Sequence, residues 1–334
     1  MKRLKRILAI VLLLAIIGAG LWLRPAYTPP ISLWDAISGA GKSIASLEEI
    51  RLGGDDQWLL IRGRDRTKPI LLVLHGDPGR PEMYMAHAFQ RPLERDFVVV
   101  QWDRRGTGKS YYDDPDRPIR TSQEIADTVE LIGRLQRRFG QRKVILVGHS
   151  YGSLIGAAVA QAHPELVRAY VGVGQVACTE QDEDAIQDSW LRKVAAEKGD
   201  RRTEAYAKAG GDWDRRDAIM ANGGEVRGIA GPIPFAWIGL TAPEYTLADV
   251  INIQDGWVYD HDHIVFDGPP LPLARSIPAL AVPAYFFQGR KDYLAPSLCV
   301  ERYAAALQAP VSRMVWFDKS AHFPFLDDPE GFHR

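Results

Sequence analysis

The sequence predicts an α/β protein: a mainly parallel sheet with helices on both faces, interrupted by an inserted helical cap. Three observations carry this. Short apolar runs alternate with helical patterns between residues 69 and 173, as strands covered on both faces and their crossover helices do. The segment Gly148-His149-Ser150-Tyr151-Gly152 stands where an apolar run, Val144 to Val147, stops and a helical Ala/Leu/Ile pattern starts. Roughly a hundred residues, Cys178 to Arg275, then show no convincing strand of that sheet, too long a stretch for a plain loop.

At the N-terminus, Lys2, Arg3, Lys5 and Arg6 precede an apolar run from Ile7 to Leu23. As a helix this run spans about 25 Å, slightly under a hydrocarbon core of about 30 Å. The basic flank predicts a cytoplasmic N-terminus and an exported globular part. Two readings compete, a signal peptide cleaved near Gly18-Ala19-Gly20 and a retained transmembrane signal anchor. Continuation through Leu21, Trp22 and Leu23 favours the anchor, hence a membrane-bound protein with its catalytic domain outside the cytoplasm. Residues 1–24 are thus the anchor or signal, 25–176 and 277–334 the two parts of the core, and 177–276 the cap.

Strands are expected at Leu47 to Leu52 and Trp58 to Arg62, around the turn Gly53-Gly54-Asp55-Asp56. Pro69 to Leu74 and Phe97 to Trp102 follow as covered strands. Thr121 and Ser122 are placed to cap a helix from Gln123 to Phe139, which Gly140 ends. After the elbow strand and its helix, Tyr151 to Ala162, comes a strand at Arg168 to Val173. In the insertion, helical period is clearest from Asp184 to Lys198. The sheet pattern resumes with Ala284 to Gln288, a helix from Ser297 to Leu307, and Val311 to Phe317.

Forty-one basic and 42 acidic residues leave a net charge of −1, which gives no reason to expect a nucleic acid partner. The two cysteines, Cys178 and Cys299, form neither a disulfide framework nor a metal motif. They read as buried free thiols, with pairing open to them in an oxidising compartment. His261 and His263 with Asp260 and Asp262 read as a solvated loop, because no further ligand is evident.

A serine between glycines on a strand-to-helix turn is the pattern of a nucleophile elbow, where neighbouring backbone leaves no room for a Cβ. Ser150 needs a base, and the base needs a partner that sets its tautomer. Both follow in chain order, each just beyond a predicted strand: Asp292 in Gly289-Arg290-Lys291-Asp292, and His322 in Ser320-Ala321-His322-Phe323. Asp267 and Asp318 are the rival acids. His75, His87, His149 and His163 adjoin or precede the serine, the wrong order for the base. Two backbone donors complete an oxyanion hole: the amide of Tyr151, and that of Asp77 in the loop His75-Gly76-Asp77-Pro78-Gly79, with Gly76 as the alternative. This chemistry requires no cofactor and no metal.

HGDPG at 75–79, DRRGTGKS at 103–110, GHSYG at 148–152, and the later Asp292 and His322 together resemble the prolyl iminopeptidase-like serine peptidases of the α/β-hydrolase fold. The likeness runs from about residue 45 to the end and includes the cap. It implies a Ser-His-Asp aminopeptidase releasing N-terminal residues from short peptides, and a cis peptide at Asp77-Pro78. It makes Asp103 and Arg105 architectural. It also implies acidic cap residues that hold the substrate amine: Glu180 and Glu183, then Glu204 and Glu225, although Glu180 to Asp184 equally reads as a solvated helix start; Trp190 and other aromatics read as an apolar wall or as packing within the cap. The chain departs from the family pattern twice. Asp77 stands where the family has glycine, which puts a charge at the cleft, and little chain follows His322 to close the core. A carboxylesterase or lipase on small esters is the first alternative, and a catalytically silent, membrane-tethered binding protein the second.

Overall fold

The structure is a computed structural model. It describes residues 24–38, 41–112, 114, 117–199, 201, 203, 205, 212–227 and 233–334, with residues 3, 6, 10, 12 and 18–20 of the N-terminal segment. The predicted anchor therefore lies mostly outside the described residues. Among those described, no helix is long and apolar enough to cross a membrane.

The strands are β1 (Ile44–Leu52), β2 (Asp55–Gly63), β3 (Ile70–Leu74), β4 (Val98–Asp103), β5 (Ile119–Arg120), β6 (Val144–His149), β7 (Val167–Val173), β8 (Ile264–Val265), β9 (Ala284–Gly289) and β10 (Ser312–Phe317). Eight of them form one sheet in the order β1-β2-β4-β3-β6-β7-β9-β10. β1, β2 and β4 pair antiparallel, and every later pairing is parallel. The β1–β2 hairpin turns on Gly53 and Gly54, at φ 54° and 89°. A two-residue turn with both centres left-handed is the reason for glycine at both positions.

Alternation along the strands splits the apolar core between the two faces. Leu72, Leu74, Val100 and Leu146 face one side, where they pack with α1 (Thr121–Phe139), α2 (Tyr151–Ala162) and residues of the later helix Ser297–Ala306. Leu71, Val99, Val147 and Val173 face the other, against Met83, Tyr84, Tyr245, Phe323 and Phe325. Gly140, at φ 64°, ends α1 as predicted. The expected caps Thr121 and Ser122 lie inside that helix instead. Asp267 caps it from the insertion, accepting the Ser122 amide and hydroxyl at 2.9 Å. Asp267 is thereby structural, not a triad acid.

Between β7 and β9 run α3 (Glu180–Lys198), α4 (Asp212–Ala221), α5 (Ile233–Thr241) and α6 (Leu247–His263). The last of these is a helix where the sequence suggested a loop at 260–263. β8 pairs in parallel with β5 in a separate two-stranded sheet, which ties this insertion to the segment leading into α1. Asp103 accepts a hydrogen bond from Tyr245 of the insertion, and Arg105 donates to Asp55 and Asp127 at 2.5 Å, both of them structural contacts. After α7 (Ser297–Ala306) and β10, the short helices α8 (Pro324–Asp327) and α9 (Pro329–Phe332) finish the core. Phe332 meets Phe287 and Phe317, with ring centroids 5.6 and 6.1 Å away.

Cys178 and Cys299 are joined by a disulfide, contrary to the expectation of free thiols. The crossing from β7 into the insertion passes beside α7, which brings two cysteines 121 residues apart in sequence to a Cα separation of 5.5 Å. Removing the cross-link through Cys178→Ser is expected to cost about 2–5 kcal/mol of stability in a denaturant titration. A titration unchanged by the substitution would contradict the bond.

Candidate active site

Ser150 occupies the turn between β6 and α2 at φ 50° and ψ −124°. No other described non-glycine residue has positive φ. Such a conformation costs on the order of 1–3 kcal/mol, which surrounding packing must hold in place. Its amide donates to Val173 O at 2.9 Å. The flanking glycines are sterically required: a Cβ on Gly148 would lie 2.5 Å from Gly152 O, and one on Gly152 would lie 2.3 Å from His75 O. The turn is locked between two backbones.

Asp292 and His322 lie just past the carboxyl ends of β9 and β10, and both are buried. His322 Nδ1 stands 2.9 Å from Asp292 Oδ2. The acid is itself fixed: Oδ1 accepts the amides of Leu294 and Ala295 at 3.0 and 2.9 Å, and Oδ2 accepts Gln288 Nε2 at 2.8 Å. The other ring nitrogen, His322 Nε2, is buried without a hydrogen-bond partner among the described residues. His322 and Ser150 line the same cavity, of about 220 Å³. The rival acid Asp318 is exposed and pairs with Arg290.

The HGDPG loop packs against the elbow, so that a Cβ on Gly76 would come within 3.0 Å of Ser150 Cβ. Gly76 is not a free donor, because its amide is bonded to Glu82 Oε1 at 2.9 Å. The amides of Asp77 and Tyr151 have no protein acceptor among the described residues. Asp77-Pro78 is not cis; the cis peptide among the described residues is Leu271-Pro272. The loop instead closes as a turn, Arg80 N donating to Asp77 O at 3.0 Å, with Gly79 at φ 79°. The Asp77 side chain does not leave a bare charge at the cleft: Arg216 of α4 donates to it at 2.8 Å and to Glu225 at 2.9 Å.

The sequence carries no signal for Arg216 or Glu82, and it raises His149 only as a base in the wrong chain order. Glu82 Oε1 bonds both the Gly76 amide and His149 Nδ1, while His149 Nε2 stands 2.9 Å from His322 O. Two acceptors facing the two ring nitrogens require both to donate, the imidazolium form. Burial pulls the His149 pKa down, but the Glu82 charge and hydrogen bond outweigh it, so the pKa is raised. This buried pair braces the HGDPG loop against the backbone that carries His322. Glu82→Gln is expected to destabilise the fold by about 1–3 kcal/mol, since a neutral His149 must release one of its two bonds. A melt unchanged by that substitution would remove the brace.

The amine-binding residues expected from the resemblance are placed elsewhere. Glu180, Glu183 and Trp190 are not among the residues lining the cavity. Glu180 is exposed in the first turn of α3, and Trp190 stacks at 4.1 Å on Tyr293, which follows β9 in the core. Glu183 is mostly buried. Burial first, then the Asp292 charge, raise its pKa to about 8, so at neutral pH it is protonated and carries no charge for an ammonium. Glu225 is bonded to Arg216, and Glu204 lies outside the described residues. Folded Glu183 keeps its proton to about pH 8, against 4.5 ordinarily. The stability this proton contributes is full below the lower value and lost as pH rises through the higher. Glu183→Gln is therefore expected to flatten the fall in Tm across that window, and an identical Tm–pH profile would contradict the shift.

Among the described residues, no group of three or more His, Cys, Asp or Glu side chains is arranged to hold a metal ion. The arrangement has the parts acyl transfer needs: a strained serine, a histidine oriented by a buried carboxylate, and two unengaged amides, beside a cavity walled by Met85, Met220, Phe235, Ile253 and Phe323.

Sheet order and site together define a hydrolase of the alpha/beta hydrolase fold, and the family model of that description matches residues 69–329. The chain belongs to that family. It is 30% identical over 302 residues to the Bacillus subtilis protein named "Probable aminopeptidase YbaC", covering 87% of this chain and 95% of that one. It is 25% identical over 269 residues to a proline iminopeptidase of Heyndrickxia coagulans, covering 78% and 87%. Among solved structures, the proline iminopeptidase of Mycobacterium smegmatis superposes with a TM-score of 0.64 at 18% identity, covering 86% and 95%.

Proposed function

We propose that the protein is a serine hydrolase acting by acyl transfer through Ser150, His322 and Asp292, and that it releases N-terminal residues from short peptides. The observation that carries the mechanism is the His322 ring, bonded to Asp292 through Nδ1 and leaving Nε2 without a partner beside the cavity shared with Ser150. His322 takes the Ser150 proton as Oγ attacks the carbonyl carbon, and the Asp77 and Tyr151 amides hold the oxyanion. The same proton passes to the leaving amine, and water then attacks the acyl-serine with His322 again as base. The peptide reading rests on the names of the two relatives above, and the small apolar cavity suits one residue of proline size. Side-by-side assay of a proline arylamide and a short-chain nitrophenyl ester tests it. Turnover of the arylamide is expected, and turnover of the ester alone would defeat it.

A carboxylesterase is the second reading. It is favoured by one observation: both carboxylates lining the cavity are bonded, Asp77 to Arg216 and Glu82 to His149, which leaves no obvious counter-charge for an ammonium.

We propose further that the domain lies outside the cytoplasm, tethered by residues 7–23. The Cys178–Cys299 disulfide supports export. A short helix, Leu33–Ser38, exposes Leu33, Trp34 and Ile37 by 73%, 74% and 81%, an apolar face suited to a lipid interface just after the anchor. Carbonate-washed membranes are expected to retain the protein, with a C-terminal tag cut by external protease. A tag protected in intact cells or spheroplasts would overturn this topology.

A further inference from the structure

The cavity beside Ser150 is lined by a guanidinium that acyl transfer does not use. Asp77, Glu82, Arg80 and Arg216 line it. Asp77 accepts from Arg216 at 2.8 Å, and Glu82 from His149 and the Gly76 amide. Arg216 Nε is buried without a partner, though the rest of that guanidinium is engaged. Arg80 forms no ion pair among the described residues; its guanidinium lies over the Trp257 ring, 4.2 Å from the centroid. Of the two arginines, Arg216 is paired with both Asp77 and Glu225, which leaves Arg80 as the one with no anionic partner among the described residues.

Arg80 is also held in place. A Cβ on Gly79 would fall 2.4 Å from Gly256 O and 2.7 Å from Trp257 Cα, so the loop backbone lies directly on α6. The Arg80 amide is tied back to Asp77 O at 3.0 Å. Stacking on an indole covers the face of a guanidinium and leaves its in-plane N–H fork open, the edge that meets a carboxylate with two parallel bonds. From Gly76, which packs on Ser150, to Arg80 the backbone spans at most about 14 Å fully extended, and the turn shortens it. A group on Arg80 is within a short peptide's length of the serine.

We propose that Arg80 is a specificity-determining residue that binds a substrate carboxylate: the free C-terminus of a short peptide whose N-terminal acyl group occupies the apolar end of the cavity. This rests on the acyl-transfer reading and names its substrate class. The carboxylate lies on the leaving-group side, stays ionised throughout, and departs with the released amine.

The test compares kcat/KM for a prolyl dipeptide with that for the same dipeptide amidated at its C-terminus, in the full-length protein and in Arg80→Gln and Arg80→Lys. The wild type is expected to prefer the free acid by roughly ten- to hundredfold, mainly through KM. Arg80→Gln should bring the ratio near one, and Arg80→Lys, which keeps the charge without the fork, should give an intermediate ratio. Absence of a preference in the wild type overturns the proposal, as does an equal ratio in the wild type and Arg80→Gln. If Arg80→Gln fails to melt cooperatively, the Arg80→Lys ratio decides alone, an unchanged value overturning the assignment. Failure of the underlying reading looks different: neither dipeptide is turned over, and Ser150 takes no fluorophosphonate label.

Discussion

Ser150→Ala is expected to lower kcat on any substrate by on the order of a million-fold while leaving the fold intact. Acyl transfer needs this oxygen to form and then release the ester bond to the acyl group, and the triad acts as a unit, so removing the serine alone is expected to cost about as much as removing all three residues. The backbone cost does not change, because alanine carries the same Cβ at φ 50° that serine does. Nor does the serine hydroxyl form a hydrogen bond within the described protein that alanine would sever. Tm should therefore stay close to the wild-type value. The check is paired: steady-state turnover of an arylamide and an ester, and labelling by a fluorophosphonate probe. A wild type that takes no label would favour the silent binding protein, and an alanine variant labelled as strongly as the wild type would move the nucleophile elsewhere.

The sheet was legible because each of its strands is a local pattern. Leu71, Leu72, Leu74 and Val98 to Val100 are buried on the two faces of the sheet, so continuous apolar runs marked their strands, and glycine marked the turns at 53–54 and 140. What failed was anything made across long sequence distances. The Cys178–Cys299 bond depends on how β7 passes α7, which neither segment encodes alone. Thr121 and Ser122 had the right chemistry for an α1 cap, yet Asp267, about 145 residues on, does the capping, since the insertion folds back against that helix end.

Ser150, Asp292 and His322 were legible for another reason. Each stands immediately after a recognisable strand, and the fold brings strand ends together. The surrounding shell was not. Glu82 carries no motif signal, and His149 stands in the wrong chain order for a base. Their meaning appears only when Glu82 reaches the Gly76 amide and His149 reaches His322 O. The amine-binding acids were carried over from a resemblance instead of being read from residues. Glu183, mostly buried, and Glu180, exposed, both start α3 away from the cavity lining, a placement that no strand end marks in the sequence.

Asp292→Asn is expected to cost about 10⁴-fold in kcat with little change in KM, through the tautomer of His322. Asp292 Oδ1 accepts two amides, from Leu294 and Ala295, and neither can reverse its role. An asparagine must therefore keep its oxygen there and turn its NH₂ toward His322 Nδ1 and Gln288. The ring then accepts at Nδ1 and carries its proton on Nε2, the nitrogen beside the Ser150 cavity, where it cannot take the serine proton. Gln288 Nε2 meets a second donor in the same place, and an amide flip that brings its unpartnered Oε1 there gives up its 3.2 Å bond to Ala295 O, so a stability loss of about 1–3 kcal/mol accompanies the change. The variant should remain folded and bind substrate nearly as well as the wild type. Activity should recover partly at high pH, where loss of a proton from the ring or from the serine removes the need for the correct tautomer. Near-normal kcat at neutral pH in a folded Asp292→Asn protein would mean that another group orients His322.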